Sequence, residues 1–310
     1  MSQPLQATIQ SKAKTVIHWL GFDKSESIAG YLFSAPSAIL ILIFVVVPMV
    51  AGMVLGFYQW DAFGKPVSNG LNNFRQLWTD PVFLAALKNT FYFACVSTPI
   101  SIVLGLCLAI AINEPWVKGK GFFTTVHFIP VIMSMVAVAL IWRWIYDNEY
   151  GLLNSVLQML GLPKQLWLQN PRWVIPALML VDIWKTVGYI MVIYLAALQD
   201  VPRHLVESAE LDGAGWIQKN RHIVIPWLAP ATLFVTVVSF INSFQVFDLV
   251  YIFMGERGPD KNSIVMVFDI YLTAFRSYQL GYASAQAFVL FLIILAFSVG
   301  LLKVLAGDKV

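Results

Sequence analysis

Long apolar runs alternate with polar connections along this chain, and six of the runs are long enough to cross a bilayer. They lie at roughly 31–58, 89–112, 122–146, 173–198, 227–254 and 282–305. Each exceeds the about 20 apolar residues that a helix needs to span hydrocarbon. Lipid offers no partner to an unpaired backbone group, so spans of this length are predicted to be helices. Pro48, Pro99, Pro130, Pro176 and Pro230 fall inside them, at positions where membrane bundles tolerate a kink. The pattern predicts an all-α integral membrane protein with six transmembrane helices. A segment 1–30 precedes a membrane domain at 31–306.

The first run continues without a charge from Tyr31 to Trp60. That is longer than the roughly 7–15 residues of a signal-peptide core, so no cleavable signal is expected. Ahead of it, Ile9, Ala13, Val16, Ile17 and Leu20 recur at helical spacing beside Lys12 and Lys14. This fits a short helix lying on the membrane surface, or equally a frayed tail.

Composition agrees with a lipid-facing surface. Charged residues make up 12% and hydrophobic residues 59%, whereas a soluble domain carries about a quarter charged. A net charge of +3 without a basic block gives nucleic acid nothing to hold. Cys95 and Cys107 share one predicted helix, about 18 Å apart and beyond disulfide reach. They are expected to be packing residues. With the N-terminus cytoplasmic, the inner segments hold ten Lys and Arg against eight outside, a small bias under the positive-inside rule.

The connection at 199–226 differs from the others. The run Asp200–Pro230 reads DVPRHLVESAELDGAGWIQKNRHIVIPWLAP and is too polar for hydrocarbon. Pro202 suits a first helical position. Leu205, Val206, Ala209 and Leu211 supply an apolar stripe, and Gly213 suits a left-handed helix end. A second short helix is expected from Gly215 to about Ile223, stopped by Pro226. The result is a stiff helix–turn–helix.

Within this run, Glu207-Ser208-Ala209, Asp212-Gly213-Ala214 and Ile223-x-Ile225-Pro226 resemble the signature loop of ABC importer permeases, E-A-A, three residues, G, nine residues, I-x-L-P. Ser208 and Ile225 replace Ala and Leu, and Asn220 and Arg221 stand where members often have aromatics. Gly70–Phe74, Asn89-Thr90, Ile141–Trp144, Ala196–Pro202, Gly258-Pro259 and Gly281–Ala285 are similar to the carbohydrate branch of that family.

The resemblance implies the type I ABC importer permease fold. It implies a coupling helix at Glu207, Ser208, Ala209, Asp212, Gly213 and Ala214 that seats on a cytoplasmic ATPase. Glu207 would meet a basic group there, and Gly213 would permit the turn. A loop that meets an ATPase is cytoplasmic, which puts the N-terminus inside a bacterial or archaeal inner membrane. The implied partners are a second homologous permease, two ABC ATPase subunits that bind ATP and Mg, and an extracytoplasmic substrate-binding protein. The implied cargo is a sugar or oligosaccharide, with polyol, glycerol phosphate or anionic oligosaccharide as alternatives.

The chain itself carries no nucleotide site. Gly255–Lys261 is the nearest approach to a P-loop, and its spacing is wrong. His18, His127, His204 and His222 are scattered without metal-ligand spacing, and no G-x-S-x-G elbow occurs. A membrane enzyme is disfavoured on these grounds. A stand-alone secondary transporter is disfavoured because the halves show no repeat.

Polar residues at membrane depth suggest a substrate path. Asn242, Gln245 and Asp248 follow Ser239 at spacings of three, hence near one helix face. Phe244 and Tyr251 would stack on sugar C–H faces. Bonding between helices is an equal alternative for these polar groups. Asp182 and Lys185, three apart, are expected to form a structural ion pair, with a place lining the path as the alternative, and Arg143 is expected to snorkel toward headgroups.

Overall fold

The computed structural model describes residues 22–255 and 263–306. The candidate surface helix at 9–20 and the Gly258-Pro259 motif lie outside them. The chain divides into two compact units, Met1–Val54 and Leu55–Val310.

In the first unit, α1 (Phe22–Ile41) passes through a π turn (Leu42–Val46) into α2 (Val47–Leu55). Tyr31–Leu55 is apolar enough to span. Tyr31, Phe33 and Phe44 are among its exposed side chains, as suits a helix whose solvent is lipid. The π turn stands immediately before Pro48. Proline lacks an N–H and clashes with the carbonyl four residues back, and the wider turn relieves both problems.

The second unit opens with a two-residue antiparallel ribbon, β1 (Tyr58–Gln59) and β2 (Val67–Ser68), paired Tyr58 to Ser68. Then come α3 (Asn72–Leu77) and α4 (Pro81–Asn113). Helix α4 starts eight residues before the predicted span because Asp80 caps it, accepting from Val82 N at 2.8 Å. Cys95 and Cys107, expected to pack, are both exposed on it. The Gly70–Phe74 motif acts through Asn73, which is buried and donates to the carbonyls of Gly56 and Tyr58.

The third span is broken. α5 (Lys120–Ile132) and α6 (Met135–Ile145) meet at 100°. After α6 a connection holds α7 (Leu152–Met159). Buried Asn154 organises it, donating to the carbonyls of Asp147, Asn148 and Gln165 and accepting from Trp167 Nε1.

The fourth span, α8 (Pro171–Leu198), is continuous. It packs along α4, where a Cβ on Gly105 would lie 2.5 Å from Ile190. Only a residue without a side chain permits that approach, a common device between membrane helices. The fifth span is α12 (Ala229–Phe244) and α13 (Asp248–Met254), separated by Gln245–Phe247. The short helices α9 to α11 that precede it are described with the site. α14 (Met266–Tyr271), a π turn (Leu272–Arg276) and α15 (Leu280–Ala306) complete the described chain. Asn89 and Thr90 tie α4 to this region: Asn89 Nδ2 donates to Ile264 O at 3.0 Å, and Met266 N donates to Thr90 Oγ1 at 2.9 Å.

Five helices of the described residues are long and apolar enough to cross a membrane, and the bent pair makes a sixth.

Candidate functional site

The polar lever at 199–226 forms directly on the end of α8. Asp200 N donates to Ala197 O and Val201 N to Leu198 O, so the chain leaves α8 through a tight turn. α9 (Arg203–Leu211) follows, with Pro202 at its N-cap. Its end is closed by two bonds, Gly213 N to Glu210 O at 3.1 Å and Ala214 N to Ala209 O at 2.9 Å. This is the Schellman arrangement, which needs a left-handed residue, and Gly213 has φ +81°.

α10 (Trp216–Lys219) continues through a π turn (Asn220–Val224) into α11 (Ile225–Trp227). Pro226 was expected to stop the second helix. Instead the π turn ahead of it absorbs the missing donor, as before Pro48, and the helical backbone runs on to Leu228. Asn220 is buried and donates to Trp216 O.

Cross-links make the two helices one body. Lys219 Nζ bonds Glu210 Oε1 at 2.9 Å across the turn. Gly215 N donates to Gln218 Oε1. Trp216 Nε1 donates to Glu114 Oε1, just past the end of α4. Lys120 Nζ donates to Asn113 O, closing the α4–α5 connection beside it. A cavity of about 780 Å³ lies between the lever and this connection, lined by Glu114, Lys120, Arg203, Glu207 and Lys219 among others.

Glu207, Ser208, Asp212 and Gly213 are exposed, and Ala209 and Ala214 are half-buried. Leu211 was expected in the apolar stripe but is 89% exposed, and Trp216 and Ile217 of the lever are exposed too. Charge and exposed apolar surface side by side are what a docking element presents.

The second candidate set lies at the break in the fifth span. Gln245 N donates to the carbonyls of Asn242 and Ile241, and Phe247 leaves helical geometry at φ −133°, ψ −59°. Asn242, Gln245 and Asp248 are all exposed here. Phe244 is not: it is 1% exposed and packs on Phe91 and Phe297. Two residues from Asn242 along a helix is nearly the opposite face, so its assignment as a stacking residue is corrected to core. Tyr251 is half-buried and stacks on Phe247 at 5.4 Å and 23°. Ser243 joins α12 to α4 through Thr98, 2.9 Å between hydroxyls.

Two charged residues take partners that sequence spacing did not reveal. Lys185 does not pair with Asp182; its Nζ donates to Pro130 O, Val131 O and Met133 O at 2.9, 3.1 and 2.8 Å. Asp182 lies half-buried on α8. Arg143, expected to snorkel, is exposed, and its Nη2 donates to Ile252 O at 2.6 Å and Phe253 O at 3.3 Å. No one-dimensional signal marks these contacts, because carbonyl acceptors carry no residue signature.

Comparison with known proteins extends beyond the lever. Residues 101–308 match the family described as "Binding-protein-dependent transport system inner membrane component". The chain is 38% identical over 283 residues to the probable ABC transporter permease protein YurN of Bacillus subtilis (strain 168), covering 90% of this chain and 96% of that one. It is 34% identical to the lactose transport system permease protein LacF of Rhizobium radiobacter, over 87% and 91% of the two chains. A chain of the bacterial alginate ABC transporter, solved in complex with an alginate pentasaccharide-bound periplasmic protein, superposes with TM-score 0.79 at 26% identity. That match covers 94% of this chain and 99% of the other.

Proposed function

This chain belongs to the binding-protein-dependent transport system inner membrane component family, and on that premise we propose that it forms half of the translocation pore of an ATP-driven importer of sugars or oligosaccharides. A second, homologous permease completes the pore. Two separate ATPase subunits hold ATP and Mg and perform the hydrolysis. An extracytoplasmic binding protein delivers the cargo. The lever lies in the cytoplasm, and with it the N-terminus and residues 1–30, ahead of a membrane domain at 31–306.

The observation that carries this reading is the build of the lever. Exposed Glu207, Ser208, Asp212 and Gly213 sit on a short rigid body fused to the end of α8. A force applied there reaches the membrane without being lost in a loop. Nucleotide shifts the equilibrium only if the ATPases bind it better in one state; closure then draws the levers together and alternates access. Asn242, Gln245 and Asp248 line the path, with Tyr251 beside them. The exposed carboxylate of Asp248 favours neutral over anionic cargo, since like charge in a binding path costs affinity.

The test is the purified complex of this chain with the permease, ATPase and binding protein encoded beside it. Sugar-loaded binding protein raises its ATPase rate, and vesicles containing this polypeptide alone do not move the sugar. Uptake by the lone polypeptide, or a lever reachable only from outside, would overturn the reading.

A further inference from the structure

The first half of the broken third span is held to α8 by a half-buried cation at its C-terminal end. α5 ends at Ile132, and Met133 and Ser134 are extended (ψ 141° and 145°) before α6 begins. The last carbonyls of a helix have no partner within it. At membrane depth water is not there to supply one. Lys185, near the middle of α8, brings three N–H donors to the carbonyls of Pro130, Val131 and Met133. A positive charge at a helix C-terminus also opposes its dipole favourably.

One turn further along α8, on the same face, a Cβ on Gly188 would lie 2.0 Å from His127 O of α5. Backbone contact at Gly188 and the ammonium at Lys185 thus fasten α5 to α8 at two points. α6 is fastened to two helices: Arg143 donates to carbonyls near the end of α13, and Tyr146, at the end of α6, donates its hydroxyl to Ala177 O of α8 at 2.7 Å. Met133 and Ser134 join the two halves, and Ser134 already belongs to the start of α6, accepting from Val138 N at its carbonyl and from Ala137 N at its hydroxyl.

We propose that Lys185 is a positioning residue that makes α5 part of the moving α8–lever body. This rests on the coupling reading above, because α8 is the helix on which the lever is built. Pull on the lever moves α8, and the Lys185 clamp carries α5 with it. Without the clamp, α5 lags and motion at the lever is not delivered to the path.

The experiment uses the assembled complex with Cys95 and Cys107 replaced by Ser. One spin-label pair joins Val126 on α5 to Trp184 on α8, and a single label at exposed Ile217 reports on the lever. Both are measured before and after trapping with ATP and vanadate. In the wild type the α5–α8 distance is narrow and unchanged by trapping, while the lever label responds. Lys185→Met broadens the α5–α8 distribution and lowers uptake by about tenfold or more, as expected for loss of even one charge-assisted bond. Lys185→Arg, which keeps charge and donors, restores both.

Should Lys185→Met fail to insert, Lys185→Gln takes its place and the same distances decide. A Lys185→Met complex with a narrow α5–α8 distance and full uptake overturns the proposal, as does a wild-type α5–α8 distance that changes on trapping. A wild type in which the lever label does not respond to nucleotide sinks the coupling reading and the clamp's role with it.

Discussion

Tyr282 donates its hydroxyl to Asp80 Oδ2 at 2.7 Å, while the other oxygen of Asp80 caps the start of α4. One carboxylate therefore ties the beginning of the second span to the last span, 202 residues away in sequence. Tyr282→Phe removes the donor and leaves the cap. A hydrogen bond to a charged group contributes about 1.5–3 kcal/mol, and the lower end applies to this half-buried pair. The expected result is a lowered unfolding temperature in detergent. Asp80→Ala, which loses the cap as well, falls further.

Asp269 lies beside this pair. It is buried, accepts from Gln286 Nε2 at 2.7 Å, and faces the negative charge of Asp80. Burial first, and Asp80 second, push its pKa from 3.8 up to about 6. The folded state thus holds its proton over a range where the unfolded chain has lost it. Stability falls as pH rises through that window and is level above it, by roughly 3 kcal/mol at most. Asp269→Asn removes the penalty and gives the otherwise unpaired Gln286 Oε1 a possible donor. Its unfolding temperature exceeds the wild type's at pH 7.5, and the difference shrinks toward pH 4.

Gly213 is required for its backbone. At φ +81° a β-branched residue is strained, with a cost on the order of 1–2 kcal/mol, and relief of the strain opens the Schellman turn. Gly213→Val leaves the spans inserted and abolishes ATPase stimulation by loaded binding protein. Stimulation at the wild-type level would show that the turn does not transmit force.

Asp248 stands exposed at the break in the fifth span. Asp248→Ala lowers uptake about tenfold, the loss of one good polar contact in the path, and leaves assembly with the ATPases intact by co-purification. Phe244→Ala has the opposite profile. Its ring is buried in the core, and its removal costs roughly 3–5 kcal/mol, read as poor assembly before any specific loss of transport.

Hydrophobic run length alone determined that this chain crosses a membrane as helices, because a backbone in lipid has no other way to pair its polar groups. The spacing from Glu207 through Gly213 to Ile223 determined the lever, since its turn is a local event between residues three and five apart. What the fold decided was where charges at membrane depth go. Lys185 and Arg143 bond carbonyls 54 and 109 residues away, and backbone acceptors look alike at every position in a sequence. The fold also turned Phe244 inward and broke the fifth span beside it, because which face of an apolar helix is core depends on the helices that pack against it.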